Sequence, residues 1–255
     1  AEEIGLGAKL SIEQGIMDNV DACYGVHVTP RFESPKINMQ YGERMAATDV
    51  FKLTVEGTSS HGSSPHLGHD AIVASAAIIT ALQTIVSRIN NPLKPAVVTI
   101  GTIKGGQRFN IIANEVIMEG NVRTFDEIFR KEIETHIREI AESVAKAHSC
   151  TAKLEYRYGT GVVLNKDKNL VDIAQNAVKK LYGEDSLVEM EKITGGEDFS
   201  LLMEKAPGIF GYIGTKNTKV PGSEKINHHE CFTVDEDALI RGTAVAVQFA
   251  LDYLN

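Results

Sequence analysis

The chain has 255 residues, 43% hydrophobic and 24% charged, an ordinary globular composition that suits one large or two modest domains. Its net charge of -8, its pI of about 5.5 and the lack of any basic run exclude nucleic acid as an expected partner. Three far-spaced cysteines (Cys23, Cys150, Cys231), no apolar run read as a membrane span and no signal peptide argue against a disulfide framework and a membrane partner, and fit a reducing, cytoplasmic compartment.

The chain opens on Ala1-Glu2-Glu3, an adjacent carboxylate pair. Two such groups can divide labour, one ligating a cation and the other moving protons; alone, they are also an ordinary solvated acidic terminus. The start, directly into helix-like sequence without Met, reads as that of a fragment or processed product. Residues 7–17 pattern as a short helix. Cys23 to Val28 is a short apolar run like a buried parallel strand, closed by Pro30 and carrying His27. Helix followed by buried strand is an α/β signature.

A different pattern begins near Met45. Residues 49–56 read as a strand, 59–68 as a Gly/Ser/Pro/His loop, and 69–90 as a helix. Ile72, Ala76, Ile79, Leu82 and Val86 form one apolar face of that helix, and Val73, Ala77, Ile78, Ala81 and Ile85 widen it nearly all round. Strands follow at 95–103 and 115–125. Thr124-Phe-Asp-Glu127 reads as a capping box for a helix running to about His148, with Ile133, Ile137, Ile140, Ala141 and Val144 on one face. A last strand covers 151–158. The order is β-α-β-β-α-β, the ferredoxin-like arrangement. The earlier style then resumes: a helix over 167–182 ended by Gly183, a buried strand over 209–213 and a final helix over about 236–254. The expected fold is therefore α/β: a split, incomplete catalytic domain (1–44 and 160–255) with an inserted βαββαβ lid or dimerisation domain (45–159).

Position sorts the histidines. His27 ends a strand, where ligand sites of α/β sheets gather, although a hydrogen-bonded core histidine would read the same way. His228-His229 lies in a loop that is either surface or site. Glu3, His27 and His228 together would make an O/N site for a first-row divalent metal. The loop from Ser60 to Asp70 holds His61, His66 and His69; their spacing matches no common structural zinc pattern, and the loop also reads as a helix cap. Arg123 is either a solvated strand residue or a carboxylate clamp.

Several stretches together resemble one family, the two-metal amidohydrolases and peptidases related to aminoacylase and carboxypeptidase G. The likeness is greatest to the branch of hippurate hydrolases and indole-acetyl-amino-acid hydrolases. The stretches are Ala1-Glu-Glu, Tyr24-Gly-Val-His-Val, Met45-Ala-Ala-Thr-Asp, Ser60-His-Gly-Ser-Ser-Pro-His, Ala81-Leu-Gln-Thr-Ile-Val-Ser-Arg, Gly105-Gly-Gln-Arg-Phe-Asn-Ile-Ile, Gly120-Asn-Val-Arg-Thr-Phe, Gly195-Gly-Glu-Asp-Phe-Ser and His228-His-Glu-Cys-Phe-Thr-Val-Asp-Glu. Each is weak; their order over nearly the whole chain is specific. The resemblance implies Glu2 as the general base that activates water and then protonates the leaving amine. It implies Glu3, His27 and His228 as metal ligands, His61 as the histidine that polarises the scissile carbonyl, and Asn110 and Arg123 as substrate-binding residues. It implies two divalent ions per full-length subunit (zinc or manganese, with cobalt and nickel also suited), an N-acyl amino acid or short peptide as substrate, and a homodimer through the inserted domain. In the family a large N-terminal part of the catalytic domain, with a Cys-x-His ligand pair, precedes the Glu-Glu pair. Without it this chain alone is expected to be inactive. The family's usual His-x-Pro also reads His228-His-Glu230 here, and register to Phe232 selects His228 over His229. The alternatives are a metal-dependent di- or aminopeptidase and an inactive dimerising remnant.

Overall fold

The computed structural model describes residues 5–255, a mixed α/β chain. In chain order the elements are α1 (Leu6–Glu13), β1 (Cys23–Glu33), β2 (Ile37–Asn38), β3 (Gly42–Met45), β4 (Ala47–Glu56), α2 (Ala71–Thr84), β5 (Ala96–Gly105) and β6 (Glu115–Thr124). There follow α3 (Glu127–Ala147), β7 (Thr151–Tyr158), β8 (Val163–Asn165), α4 (Lys168–Tyr182), α5 (Phe199–Met203), β9 (Gly208–Lys216) and α6 (Asp237–Leu254). They fall into two compact units. One holds residues 5–45 with Val163–Ile193 and Glu197–Asn255; the other holds Ala46–Val162 with Thr194–Gly196.

The first unit is built on a sheet of order β1-β9-β2. β1 and β9 run parallel, from Cys23 opposite Gly208 to Thr29 opposite Gly214, and β2 is antiparallel. β9 is central and buried at every position except Lys216. Both its faces are covered, so it reads as a continuous apolar run rather than an alternation. Ile209 packs with Leu170, Ala174 and Val178 of α4 and with Val245 and Phe249 of α6; Phe210 and Tyr212 join Met45, Val163 and Met190. α6 lies so close to β9 that a Cβ on Gly242 would stand 2.1 Å from Ile213 Cδ1, so any larger residue there would have to push the end of the Ile213 side chain aside. Gly183 ends α4 at φ 82.

Two boundaries differ from the sequence reading. Pro30 does not close β1, which continues to Glu33. The pairing shifts between Thr29 and Glu33, and an irregularity of this kind tolerates a residue that has no N–H to donate. α1 stops at Glu13, short of the predicted Met17, and the chain turns away through Gly15 (φ 84) and Asn19 (φ 59). Its first turn has no local side-chain cap. Asp198 fills that role across the sequence, its Oδ2 accepting from the Ala8 N–H at 2.8 Å.

The second unit has one antiparallel sheet of order β5-β6-β4-β7, with α2 and α3 completing the β-α-β-β-α-β order. β4 alternates: Phe51, Leu53 and Val55 are buried, while Val50 and Glu56 are exposed. Those three pack with Val116, Met118 and Val122 of β6, Ile78 and Leu82 of α2, and Ile133, Ile137 and Ala141 of α3. Beside this core lies a buried ionic cluster. Asp49, 1% exposed, accepts from Arg130 Nε (2.9 Å) and Nη2 (2.5 Å), the Tyr156 hydroxyl (2.9 Å) and the Gly159 N–H (3.0 Å).

Three expectations for this unit are corrected. The N-cap of α3 is Asp126, not Thr124. Its Oδ1 accepts from the N–H groups of Ile128 (2.9 Å) and Phe129 (3.1 Å), whereas Thr124 still belongs to β6 and its hydroxyl accepts from Asp126 N–H. The core face of α2 is neither apolar set read from the sequence. It is Ala71, Ala74, Ser75, Ile78 and Leu82, continued by Ile85 in a π-turn, and leaves Ile72 and Val73 about half exposed. Small residues on that face let the helix settle close to the sheet. Finally, against the expectation of no membrane-spanning run, Ala71–Ile89 has the length and mean hydropathy (1.7) of a helix able to cross a membrane; its buried face forms part of this unit's core.

Candidate functional site

Glu2 and Glu3 lie outside the described residues. In the first unit the structure brings the segments of His27 and His228 together. His27 is exposed on β1, and its Nδ1 lies 2.7 Å from the Val28 carbonyl. A carbonyl only accepts, so Nδ1 carries a proton, and in the neutral ring Nε2 presents its lone pair, the state a metal-binding histidine needs. The same Val28 carbonyl also accepts from the Asn227 side-chain amide at 3.4 Å. One oxygen thus ties the loop that carries His228 to the strand that carries His27.

His228 is exposed and has a φ of 71, one of three non-glycine residues with positive φ among those described. For a residue without a glycine's freedom this conformation is costly, and such residues gather at functional sites. The neighbouring His229 is engaged differently. Its Nδ1 accepts from the Cys231 backbone N–H at 3.0 Å. An amide N–H only donates, so the proton of a neutral His229 sits on Nε2 and neither nitrogen offers a free lone pair.

Glu197, from the Gly-Gly-Glu-Asp stretch, stands behind this site. It is buried, and burial holds its carboxyl above the usual carboxylate range; the Phe199 N–H bond at 3.1 Å and the nearby His27 ring pull the other way. The expectations from sequence give Glu197 no role. A carboxylate placed just before an apolar helix was the available signal. Cys23, in the same strand as His27, is pushed up to about 11 by burial and is not a reactive thiolate.

In the second unit His61 and Asn110 are brought together by backbone pairing. His61 bridges Ile111, the Gly62 N–H donates to the Asn110 carbonyl at 2.8 Å, and the Ile112 N–H donates to the Ser60 carbonyl at 2.9 Å. His61 Nδ1 lies 3.1 Å from the Ser63 N–H and 2.7 Å from the Ser63 hydroxyl. Arg123 is on β6, half-buried, between Thr48 of β4 and Val97 of β5. Gly196 lies against it: a Cβ there would be 2.2 Å from Thr48 Cγ2 and 3.2 Å from Arg123 Nη1. The second glycine of the Gly-Gly-Glu-Asp stretch therefore leaves room for the guanidinium. His66 and His69 are exposed in the same loop; His69 pairs through its backbone with Thr58. Helix α2 is capped by Asp70, whose Oδ1 accepts from Ile72 and Val73 N–H groups.

The profile of peptidase family M20/M25/M40 matches residues 1–252. The chain belongs to this family. Among relatives of the M20 chain, the N-acetyl-L-cysteine deacetylase of Bacillus subtilis is 36% identical over 243 residues, covering 95% of the chain and 56% of the relative. The IAA-amino acid hydrolase ILR1-like 4 of Arabidopsis thaliana is 30% identical over 257 residues, covering all of the chain and 58% of the relative. Among solved structures, the Bacillus subtilis YXEP protein, a dinuclear metal-binding peptidase from the M20 family, is 32% identical with a TM-score of 0.81, covering 98% of the chain and 62% of that protein. The M20 chain thus spans less than two thirds of the length of these relatives.

The donor set fits the divalent ions that such a family uses. His27 presents a lone pair at Nε2, and imidazole nitrogen suits first-row divalent metals. Among the described residues no three His, Cys, Asp or Glu side chains stand together as a metal group. A metal held by His27 and His228 would therefore need further donors from outside the described residues.

Proposed function

We propose that the protein to which this chain belongs hydrolyses the amide bond of N-acyl amino acids with the help of divalent metal ions, zinc or manganese first among those suited. The observation that carries this reading is the contrast between two histidine environments. His27 has its Nδ1 against a carbonyl and offers a lone pair; His61 has its Nδ1 against an amide N–H and offers a proton. The first suits a ligand and the second a hydrogen-bond donor to a carbonyl oxygen. Family membership and the deacetylase and amino-acid-conjugate hydrolase relatives support the same reading.

In this reading Glu3, His27 and His228 hold metal, which when bound supplies Lewis acidity and an acidified water. Glu2 takes a proton from the attacking water and returns it to the leaving amine. The His61 Nε2–H donates to the scissile carbonyl oxygen as charge develops there. Asn110 and Arg123 bind the substrate, the guanidinium pairing with its free carboxylate. The three cysteines are free, which supports a reducing, cytoplasmic setting. The half-exposed Ile72 and Val73 of α2 and Ile103 of β5 support a homodimer formed through the second unit; charging Ile72 and Val73 together should leave a monomer in sedimentation, and a clean monomer before the change would refute the dimer.

The test of function is Glu2→Gln in the hydrolytic form of the protein, assayed with N-acyl amino acids and with free dipeptides. Metal content should be kept while turnover of the N-acyl substrates falls by several orders of magnitude. Near-normal kcat would remove Glu2 from the chemistry, and preference for free dipeptides would make the protein a peptidase.

A further inference from the structure

The position of the proton on His61 is decided by one residue. Ser63 places two groups on the same ring nitrogen: its backbone N–H, 3.1 Å from Nδ1, and its hydroxyl, 2.7 Å from Nδ1. The hydroxyl alone would decide nothing, because it can donate or accept. The amide can only donate. Nδ1 must therefore present its lone pair, the ring proton sits on Nε2, and the hydroxyl donates as well. A proton on Nδ1 would point at the amide hydrogen.

We infer that Ser63 is a positioning residue that fixes the tautomer and the ring direction of His61, so that Nε2–H faces outward as a donor. Two other roles for His61 need the opposite tautomer: a metal ligand and a general base each use the Nε2 lone pair. The structure therefore separates His61 from His27, whose Nδ1 is held by a carbonyl. The local chain explains how a residue only two positions on can do this. Gly62 is pinned by its N–H to the Asn110 carbonyl at 2.8 Å, and Ser64 N–H donates to the His61 carbonyl at 2.8 Å. This tight turn carries the Ser63 amide back to Nδ1 of His61. A short side chain with one hydroxyl reaches the same nitrogen without a long, mobile stem.

The tautomer assignment stands on these contacts alone; the link from the tautomer to turnover rests on the amide-hydrolysis reading above. The experiment keeps the two apart. The chain is labelled with nitrogen-15 histidine, and long-range proton–nitrogen correlations report which ring nitrogen is protonated, with His61 assigned by the signal lost in His61→Gln. The expected result is an Nε2–H form of His61. In Ser63→Ala the amide remains but the hydroxyl is lost, and the tautomer ratio should move about fivefold towards Nδ1–H, the worth of one neutral hydrogen bond. Ser63→Thr, which keeps both donors, should restore the wild-type spectrum.

An Nδ1–H form in the unmodified chain would overturn the tautomer assignment, and an unchanged ratio in Ser63→Ala would overturn the part given to the Ser63 hydroxyl. In the hydrolytic form of the protein, kcat should fall in Ser63→Ala by a similar factor with little change in KM, and recover in Ser63→Thr. A tautomer shift without a fall in kcat would overturn the positioning role. If His61→Gln itself leaves kcat intact, the reading of His61 as a carbonyl donor fails, while the spectra still decide the tautomer.

Discussion

Replacing Asp49 with alanine should selectively weaken the second unit. Asp49 is 1% exposed and Arg130 is 6% exposed, and the carboxylate takes four donors: Arg130 Nε and Nη2, the Tyr156 hydroxyl and the Gly159 N–H. Burial alone works against a charged Arg130, and the Asp49 and Glu127 carboxylates overcome it, holding the guanidinium above its ordinary value. Burial and the Asp49 charge likewise push the Tyr156 hydroxyl up. Removing one partner of a buried ion pair costs about 3–5 kcal/mol, because the other charge is stranded. Arg130 keeps the Glu127 carboxylate (Oε2 at 3.1 Å), the Thr160 carbonyl at 3.0 Å and the face of the Tyr158 ring at 5.3 Å. These soften the stranding, but the Gly159 N–H and Tyr156 hydroxyl lose their acceptor, at about 1–3 kcal/mol for each group left unsatisfied. The expected loss is therefore about 3–5 kcal/mol, a large part of the ~5–15 kcal/mol that holds a typical domain together. Native-state hydrogen exchange is the appropriate assay, since two units need not unfold in a single transition. The opening free energy of the β4 and β6 amides should fall by that amount, with those of β9 hardly changed. A fall below about 1 kcal/mol, or an equal fall in β9, would show that the cluster does not hold the second unit together.

Two further outcomes are expected. His228→Ala should lower metal binding and His229→Ala should not, because the His229 ring is already committed to the Cys231 N–H; metal analysis after dialysis checks this, and the reverse result moves the ligand by one residue. The second concerns acid. The Lys94 side chain, then the Phe129 and Ile128 N–H groups, hold Asp126 below the usual aspartate range. A carboxyl depressed in the folded state adds stability that is present above its unfolded value, about 3.9, and lost as pH falls through its lower folded value. Lys94→Met should thus move the acid-induced opening of α3 to higher pH, read by amide exchange of Ile128 and Phe129; no movement would mean that the lysine bond does not set this titration.

What was legible in the sequence depended on whether a pattern carried a phase. β9 showed itself as an apolar run because both its faces are covered, and α3 because its stripe, Ile133, Ile137 and Ala141, stands against a charged remainder. α2 is apolar nearly all round, so its sequence could indicate a helix but not the side that meets the sheet. That side is set by Ala71, Ala74 and Ser75, whose small size matters only once a partner surface exists. The Asp49–Arg130 pair was hidden for another reason: its members lie 81 residues apart, on a strand and a helix that meet only after folding.

The candidate site divides along the same line between residue type and environment. A histidine in a sequence offers three functions at once, as ligand, base and donor, and periodicity does not choose among them. In the folded chain the group facing Nδ1 sets which nitrogen of a neutral ring carries the proton: the Val28 carbonyl for His27, the Ser63 amide for His61, the Cys231 amide for His229. Each of these partners is within two residues of its histidine, so the information is local in sequence. It is carried mainly by backbone direction, with the Ser63 hydroxyl adding to it at His61. His27 lies in an extended strand and meets the carbonyl of the next residue, whereas His61 and His229 lie in turns that present the amide of the second residue on. Strand or turn therefore separates the carbonyl-facing His27 from the amide-facing His61 and His229. Replacing the residue after His27 would leave that distinction intact, because the carbonyl is supplied by the backbone; altering the turn after His61 would not.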